Sequence, residues 1–184
     1  TIPAIDFRPD MRWLHAAPMF HIADGLAIFG VTMVAGRHIF IPSFEPVAVM
    51  KAIEAEGVTE SLWVPTMINL FANHPDVGNY DLSSMRYLTY GASPMPAAVV
   101  KKVVEVLPGV RFTHAYGQTE CAPLVTLNGP EAHIGKGLEK ELYKSCGKAA
   151  LTVEIKIIDE NGDTVPPGVI GEVCARGPNI MLGY

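Results

Sequence analysis

The stretch HAYGQTECAP, residues 114–123, ends an apolar segment with a run of polar and turn-forming residues. Tyr116 offers the face of a ring and Gly117 permits a tight turn. Gln118 and Thr119 add an amide and a hydroxyl, and Glu120 adds a carboxylate. Such a set suits a nucleotide and a metal ion better than a hydrophobic core. It predicts a strand that runs into a ligand-binding turn.

Working outward from this stretch, short apolar runs alternate with helical patterns along the chain. The runs end at Gly or Pro and predict strands at 12–18, 38–42, 58–65, 85–91 and 110–117. The segments between them predict helices at 24–35, 46–56, 65–73 and 96–107. The last helix is the clearest, because its valines and Leu107 repeat at helical spacing. This alternation predicts an α/β fold with a mainly parallel sheet flanked by helices.

The chain changes character near residue 129. Residues 129–144 are polar and rich in Gly, which is typical of a surface loop. Residues 151–159 then alternate apolar and polar side chains, Asn161 and Gly162 form a turn signal, and 168–177 read as the returning strand. We therefore expect a core unit at 1–128 and, at 129–184, the start of an antiparallel β subdomain.

Composition excludes several classes of protein. The 184 residues carry 14 Lys and Arg against 19 Asp and Glu, a net charge of −5 without a basic run, which argues against nucleic acid as a partner. The three cysteines lack C-x-x-C spacing, so we expect no disulfide framework or zinc site, and a reducing cytoplasm as the location. The longest apolar run, 25–36, is too short for a membrane span and predicts a buried helix.

Three polar turns follow predicted parallel strands: PMFHIADG at 18–25, GASPMP at 91–96 and YGQTE at 116–120. Each has an ordinary explanation by itself. A Gly-Ala-Ser-Pro turn is commonly a plain bend, and a single histidine such as His21 is commonly a core or turn residue. Because ligands bind outside the carboxyl ends of parallel strands, the three together predict one site.

These residues resemble a known family. YGQTE is similar to the Tyr-Gly-x-Thr-Glu signature of the adenylate-forming, or AMP-binding, superfamily, which includes acyl-CoA synthetases, luciferases and peptide-synthetase adenylation domains. PMFH, VPTM, GASPMP and the tail from SCGK to GPNIMLGY match further family segments in order. MFHIADG and GPNIMLGY resemble bacterial fatty-acyl-CoA ligases most.

The resemblance implies roles for individual residues. Thr119 would reach the α-phosphate of ATP, Glu120 would hold Mg²⁺, and His21 would lie near the reacting carboxylate, which makes these three the candidate catalytic residues. The implied nucleotide site consists of Gly91, Ala92, Ser93, Pro94, Tyr116, Gly117, Gln118 and Thr119. The implied acyl pocket consists of His21, Gly25, Val64, Pro65 and Thr66.

The resemblance also implies a reaction. A carboxylate would attack the α-phosphorus of ATP to give acyl-AMP and pyrophosphate, and coenzyme A would then displace AMP. The implied substrate is a fatty acid. The resemblance is compatible with a homo-oligomer. The alternatives are an aryl-acid or amino-acid adenylating enzyme and a non-catalytic adenine-binding fragment. An amino-acid enzyme needs an aspartate in the acyl pocket, and Asp24 is the nearby candidate.

Three family features have no counterpart in the sequence. These are the Ser/Thr/Gly-rich phosphate loop with its lysine, the Tyr-x-Thr/Ser-Gly-Asp segment that binds ribose, and the C-terminal domain with the adenylation lysine. We therefore expect an internal fragment of the large N-terminal domain, inactive by itself.

Overall fold

A computed structural model describes residues 6–184 of the chain, and the first five residues of the predicted 1–128 unit lie outside the described residues. The strands are β1 (Arg12–His15), β2 (Arg37–Phe40), β3 (Glu60–Trp63), β4 (Tyr87–Gly91), β5 (Arg111–Gly117), β6 (Leu124–Asn128), β7 (Lys148–Ala149), β8 (Glu154–Ile158) and β9 (Glu172–Arg176). The α-helices are α1 (Ile22–Met33), α2 (Pro46–Glu56), α3 (Pro65–Ala72), α4 (Ala97–Val106) and α5 (Gly135–Glu139). Every strand and helix predicted before residue 129 is present.

The main sheet has the order β2-β1-β3-β4-β5-β6-β7. Strands β1 to β5 pair in parallel, while β6 and β7 extend one edge in antiparallel fashion. Strands β8 and β9 form a separate antiparallel ribbon. The mainly parallel sheet and the antiparallel tail are thus confirmed. The chain reverses its direction of travel at β1, so the carboxyl ends of β1 and β3 flank a topological switch point.

Some boundaries differ from the predictions for local reasons. Strand β3 begins at Glu60 rather than at residue 58, because Gly57 adopts a left-handed conformation that ends α2, and the Val58 amide donates to the Ile53 carbonyl. The predicted loop 129–144 contains the short helix α5 and two single turns of 3₁₀-helix. Strand β7 lies beyond residue 128 and completes the main sheet.

The two faces of the sheet are covered differently. Helices α2, α3 and α4 pack on one face through residues such as Ile53, Ile68 and Val103, around the buried Trp63. Helix α1 packs on the other face against Trp13 of β1 and Leu62 of β3. Beyond α1, the second face is available to line a cavity at the carboxyl ends of the strands.

Helix α1 is only half buried, so the expectation of a buried helix at 25–36 is wrong. Its buried residues are Asp24, Ala27, Gly30 and Val31, a stripe at helical spacing that faces the sheet. Phe29 and Met33 on the other side are 69% and 71% exposed. The helix lies over one side of the sheet, and no described element covers its outer face.

Within residues 6–184 there is no helix with the length and apolar character needed to cross a membrane.

Candidate active site

A cavity of about 310 Å³ lies at the carboxyl ends of β1, β3, β4 and β5. Its lining includes residues from all three polar turns that follow these strands. The predicted site residues that line it are His21, Val64, Gly91, Ala92, Tyr116, Gly117, Gln118 and Thr119. The structure therefore brings the predicted nucleotide turns and part of the predicted acyl pocket to one place.

The floor of the cavity comes from one face of the sheet. Leu62, Thr89, Gly91 and Ala115 lie on this face and line the cavity, with Leu62 opposite Thr89 and Gly91 opposite Ala115 across the strand pairs. The Thr89 hydroxyl is buried and has no hydrogen-bond partner among residues 6–184. A mostly apolar floor thus carries one polar group whose bonding capacity is unused.

One wall of the cavity is the first part of α1. Ile22, Ala23 and Leu26 line it, while Asp24 points the other way into the protein. His21 precedes the helix and is exposed at the rim, where its ring packs against Phe20 at a centroid distance of 4.7 Å. An apolar wall with a histidine at its edge can take an apolar tail whose polar head points outward.

Two glycines let the turns approach each other. A Cβ on Gly91 would collide with the carbonyl oxygen of Ala115, and a Cβ on Gly117 would collide with that of Pro123. Ala92 and Ala122 have φ angles of 70° and 46°, a left-handed conformation that costs a non-glycine residue about 1 kcal/mol or more. The backbone is therefore tightly constrained on both sides of the site.

The YGQTE turn presents its functional groups outward. Tyr116 is 39% exposed and lines the cavity. Gln118 and Thr119 are exposed beside it. Thr119 and Glu120 begin a short 3₁₀ turn that ends at Cys121. An exposed ring, amide and hydroxyl on one turn can contact a base and its phosphate together.

Glu120 lies next to the cavity rather than in it. It lines a smaller adjoining pocket with Tyr116, Gly117 and Gln118. Its carboxylate accepts a hydrogen bond from the Tyr184 hydroxyl, and this bond lowers the pKa of Glu120. The side chain is therefore ionised at neutral pH and available to a cation.

The donor set fits Mg²⁺ bound in the way that phosphate-handling sites bind it. Within the described part of the chain, no group of three or more His, Cys, Asp or Glu residues is arranged so that it could hold a metal ion, so an all-protein cage is not offered. Mg²⁺ commonly binds through one or two carboxylates plus substrate phosphates and water. Glu120 supplies one carboxylate, and its oxygens have acceptor capacity beyond the bond from Tyr184.

Other predicted site residues do not line the cavity. Gly25 packs against the preceding turn, where an added Cβ would lie 2.7 Å from the Met19 carbonyl oxygen. Pro65 is buried at the start of α3, and Thr66, Ser93 and Pro94 are exposed outside the cavity lining. Conversely, Leu62, Thr89, Ala115, Ile22 and Leu26 line it without having been predicted. Strand alternation could have identified Thr89, since it lies two residues before Gly91.

A buried network supports the floor from the opposite side. The Tyr90 hydroxyl donates to Nε2 of His133 at 2.7 Å, and Nδ1 of His133 donates to the Gly129 carbonyl at 3.0 Å. His133 is completely buried, and burial lowers its pKa. Burial also raises the pKa of Tyr90. Both side chains are thus neutral, and they tie the segment after β6 to the end of β4.

A family model and a curated relative match this chain over nearly its whole length. The model of the AMP-binding enzyme family matches residues 2–184. The chain belongs to the AMP-binding enzyme family. Feruloyl-CoA synthase from Amycolatopsis sp is 37% identical over 180 residues, which are 97% of this chain and 35% of that protein. The chain thus spans about a third of the length of that family member.

Solved structures of the family have the same fold. A long-chain-fatty-acid-CoA ligase from Archaeoglobus fulgidus superposes with a TM-score of 0.85 at 27% identity, over 100% of this chain and 36% of that one. The O-succinylbenzoate coenzyme A synthetase from Bacillus subtilis, in complex with ATP and magnesium ion, gives 0.77 at 28% identity, over 96% and 34%. The resemblance to adenylate-forming enzymes is confirmed.

The buried His133 predicts a pH dependence of stability. Its pKa is lowered in the folded state and returns to about 6.5 on unfolding, so the unfolded state binds more protons as the pH falls below this value. The stability that the neutral His133 contributes should therefore be fully present above about pH 6.5 and should be lost as the pH falls towards the lowered pKa of the folded state. The free energy of unfolding in urea should be measured between pH 7.5 and 5.5. In His133→Asn, its slope against pH should be smaller than in the wild type by up to about 1.4 kcal/mol per pH unit.

Tyr90→Phe is the matched control. It should lower the free energy of unfolding by about 1–3 kcal/mol, because the buried Nε2 of His133 loses its donor. It should keep the pH slope, since burial of His133 is the main cause of its lowered pKa. An unchanged slope in His133→Asn would contradict the assignment.

Proposed function

We propose that this chain is the acyl- and adenine-pocket core of an ATP-dependent acid–thiol ligase that forms acyl-AMP and then acyl-CoA. One observation carries the proposal: an apolar cavity opens directly onto the YGQTE turn and the Gly91–Ala92 backbone. A carboxylic acid with its tail in the cavity would place its carboxylate beside a nucleotide held by these turns. Every residue of the cavity lining precedes residue 125, which supports a pocket core within residues 1–128, whereas β7 of the proposed second unit at 129–184 joins the main sheet.

The nucleotide site would be formed by the two turns that close β4 and β5. Tyr116 would stack on adenine, a contact worth about 1–3 kcal/mol by analogy with base stacking on aromatic side chains. The second edge of the base would meet backbone rather than side chains. This edge and the rest of the site would comprise Gly91, Ala92, Ser93, Pro94, Gly117 and Gln118.

Catalysis would rest on positioning and on charge neutralisation. A carboxylate oxygen of the acid would attack the α-phosphorus, and the bond to the bridging oxygen of pyrophosphate would break. Thr119 would hydrogen-bond the α-phosphate, Glu120 would hold Mg²⁺, and His21 would orient the acid at the cavity rim. The metal ion would neutralise negative charge on the phosphates. The thiol of coenzyme A would then attack the acyl carbon and release AMP.

The cavity supports an apolar substrate tail. Its wall and floor are built mainly from aliphatic residues, and we propose that they accept a fatty-acyl tail, with Val64, Pro65 and Thr66 at the β3–α3 junction and Gly25 of α1 in supporting positions. The second candidate is an aryl acid. The mainly aliphatic lining would also accept an aromatic ring, and feruloyl-CoA synthase is among the relatives.

The amino-acid alternative loses its support. Asp24 is fully buried and bonded to Trp13 and His15, so its carboxylate is not available to an amine in the cavity.

The three cysteines are free, which supports the proposed reducing cytoplasmic setting. No Lys or Arg lines the described cavity, so the charges that would meet the triphosphate tail must come from other groups.

The substrate proposal is tested by pyrophosphate release. The full-length protein that contains this chain should be assayed with ATP, Mg²⁺ and coenzyme A against decanoate, cinnamate and phenylalanine. We expect turnover with decanoate, and the highest kcat/KM with cinnamate would favour the aryl-acid candidate instead. A clear preference for phenylalanine would contradict an apolar pocket.

The role of Glu120 is tested by Glu120→Gln in the same protein. Loss of the carboxylate charge should lower kcat for adenylation by roughly a hundredfold or more, because an electrostatic contact made in the transition state is lost. Thermal stability should be unchanged, since the side chain is on the surface. Glu139→Gln on α5 is a matched exposed control and should keep full activity. Near-normal turnover of Glu120→Gln would refute the role.

The chain by itself should not form acyl-adenylate at a measurable rate. Glu120 is the single charged side chain of the proposed site that would act on the phosphates, and no Lys or Arg lines the described cavity. Each preorganised electrostatic contact that a site lacks costs roughly a hundred- to a thousandfold in rate. The purified 184-residue chain should therefore release no pyrophosphate above background under the conditions of the full-length assay. Turnover within about tenfold of the full-length protein would overturn this expectation.

A further inference from the structure

A second polar network lies behind the cavity wall, away from the nucleotide turns. The carboxylate of Asp24 accepts a hydrogen bond from Nε1 of Trp13 at 3.1 Å and lies 3.0 Å from Nδ1 of His15. Nε2 of His15 lies 2.8 Å from Nδ1 of His38, and Nε2 of His38 lies 3.0 Å from the Thr32 hydroxyl. Asp24, His15, His38 and Thr32 are thus linked in series, from the start of α1 through β1 and β2 and back to the last turn of α1.

The chemistry of the groups assigns a direction to this series. An ionised carboxylate only accepts, so Nδ1 of His15 donates to Asp24. With a neutral His15 ring, Nε2 of His15 accepts from Nδ1 of His38, and Nε2 of His38 accepts from the Thr32 hydroxyl. Burial and the neighbouring His15 lower the pKa of His38, which agrees with a neutral ring that accepts at Nε2. All polar atoms in the series are satisfied without a solvent molecule.

Asp24 is the group that anchors the first turn of α1. The N-cap residue, His21, makes no side-chain capping bond, so the first amides of the helix gain no partner from it. On the outer side of the helix, Phe29 and Met33 are exposed. Asp24 instead joins this turn to two residues of β1, and it lies in the first turn, where a negative charge interacts favourably with the helix dipole.

The anchored turn carries the cavity wall. Ile22 and Leu26 face the cavity one turn apart, while Asp24 between them faces the sheet. A shift of the turn would move these two side chains towards or away from the floor at Leu62 and Thr89. The position of the wall therefore depends on the bonds that Asp24 makes.

We propose that Asp24 is a positioning residue that sets the width of the acyl cavity by bonding the first turn of α1 to Trp13 and to the His15–His38–Thr32 series. The inference rests on the function proposed above. It assigns Asp24 to recognition of the acid and not to recognition of ATP, because no member of the series touches the nucleotide turns. Its removal should weaken binding of the acid selectively.

Two substitutions separate this role from general stability. Asp24→Ala leaves Trp13 and His15 without their acceptor and releases the turn. Asp24→Asn can keep every bond: its oxygen accepts from Trp13, its amide donates to Nδ1 of His15, and the two histidines and Thr32 reverse their donor direction. The amide should therefore rescue what the alanine loses.

The experiment measures kcat and separate KM values for the acid and for ATP in the full-length protein, with the better of decanoate and cinnamate. We expect Asp24→Ala to raise KM for the acid about tenfold, because a small displacement of positioning groups has effects of this size or larger. KM for ATP should stay within about twofold, and any fall in kcat should come from displacement of His21, which precedes the same turn. Asp24→Asn should stay within about twofold of the wild type in all three.

Glu60→Gln is the matched control. Glu60 is a buried carboxylate at the start of β3, at the opposite end of the sheet from the cavity, where it pairs with Arg8 and Arg86. Its loss should lower stability without changing KM for the acid. If Asp24→Ala does not fold, His38→Leu breaks the outer end of the series at a partly exposed residue and should raise KM for the acid about threefold.

Several outcomes would overturn the inference. Asp24→Ala with KM for the acid within twofold of the wild type would do so, as would an equal rise in KM for ATP or an Asp24→Asn variant as impaired as Asp24→Ala. Where His38→Leu takes the place of Asp24→Ala, an unchanged KM for the acid counts in the same way. If the wild-type protein releases no pyrophosphate with any acid, both the proposed function and this inference are refuted. Normal wild-type turnover beside an unaffected variant refutes the positioning role alone.

Discussion

The close approach of β4 to β5 at Gly91 is the contact on which the rest of the site depends. Gly91 pairs with Ala115, and a side chain at Gly91 would collide with the Ala115 carbonyl oxygen. Because Tyr116 and the rest of the YGQTE turn follow Ala115 directly, this contact decides how far the turn lies from the Gly91–Ala92 backbone. The distance between the two turns is therefore fixed by the sheet and not by the turns themselves, which is how a rigid scaffold positions functional loops.

The strand order explains why the cavity is where it is. The chain forms β1 and β2, then crosses back over β1 to form β3, so α1 lies on one face and α2, α3 and α4 on the other. The crevice at such a reversal is the usual ligand site in an open α/β sheet. The single helix α1 leaves the carboxyl ends of β4 and β5 free on its face, and the cavity uses that space.

The sequence was sufficient for those features that depend on neighbouring residues in the chain. Strand and helix positions, the parallel sheet and the turn motifs all follow from periodicity, Gly and Pro. Burial of α1 did not follow, because its apolar residues lie on all sides and only packing decides which side meets the sheet. The bonds of Asp24 could not be predicted either, since its partners lie nine and eleven residues away and meet it only through the β1–α1 packing. The free hydroxyl of Thr89 is likewise visible only when its neighbours are in place.

Features that break local rules of protein structure gather around one cavity. Ala92 and Ala122 adopt left-handed backbone conformations, Thr89 keeps a buried hydroxyl without a partner in the described chain, and Asp24 buries a carboxylate. Each feature is unfavourable by itself, and natural proteins retain such features mainly where function requires them. Of the four non-glycine residues with positive φ in the described chain, Ala92 lines the cavity, Ala122 precedes the lining residue Pro123, and Ala35 and Glu141 lie elsewhere, so strain alone does not define the site. The strained backbone at Ala92, the unbonded hydroxyl of Thr89 and the carboxylate of Asp24 behind the α1 wall lie in or next to this cavity, which supports it, rather than the exposed face of α1, as the candidate ligand site.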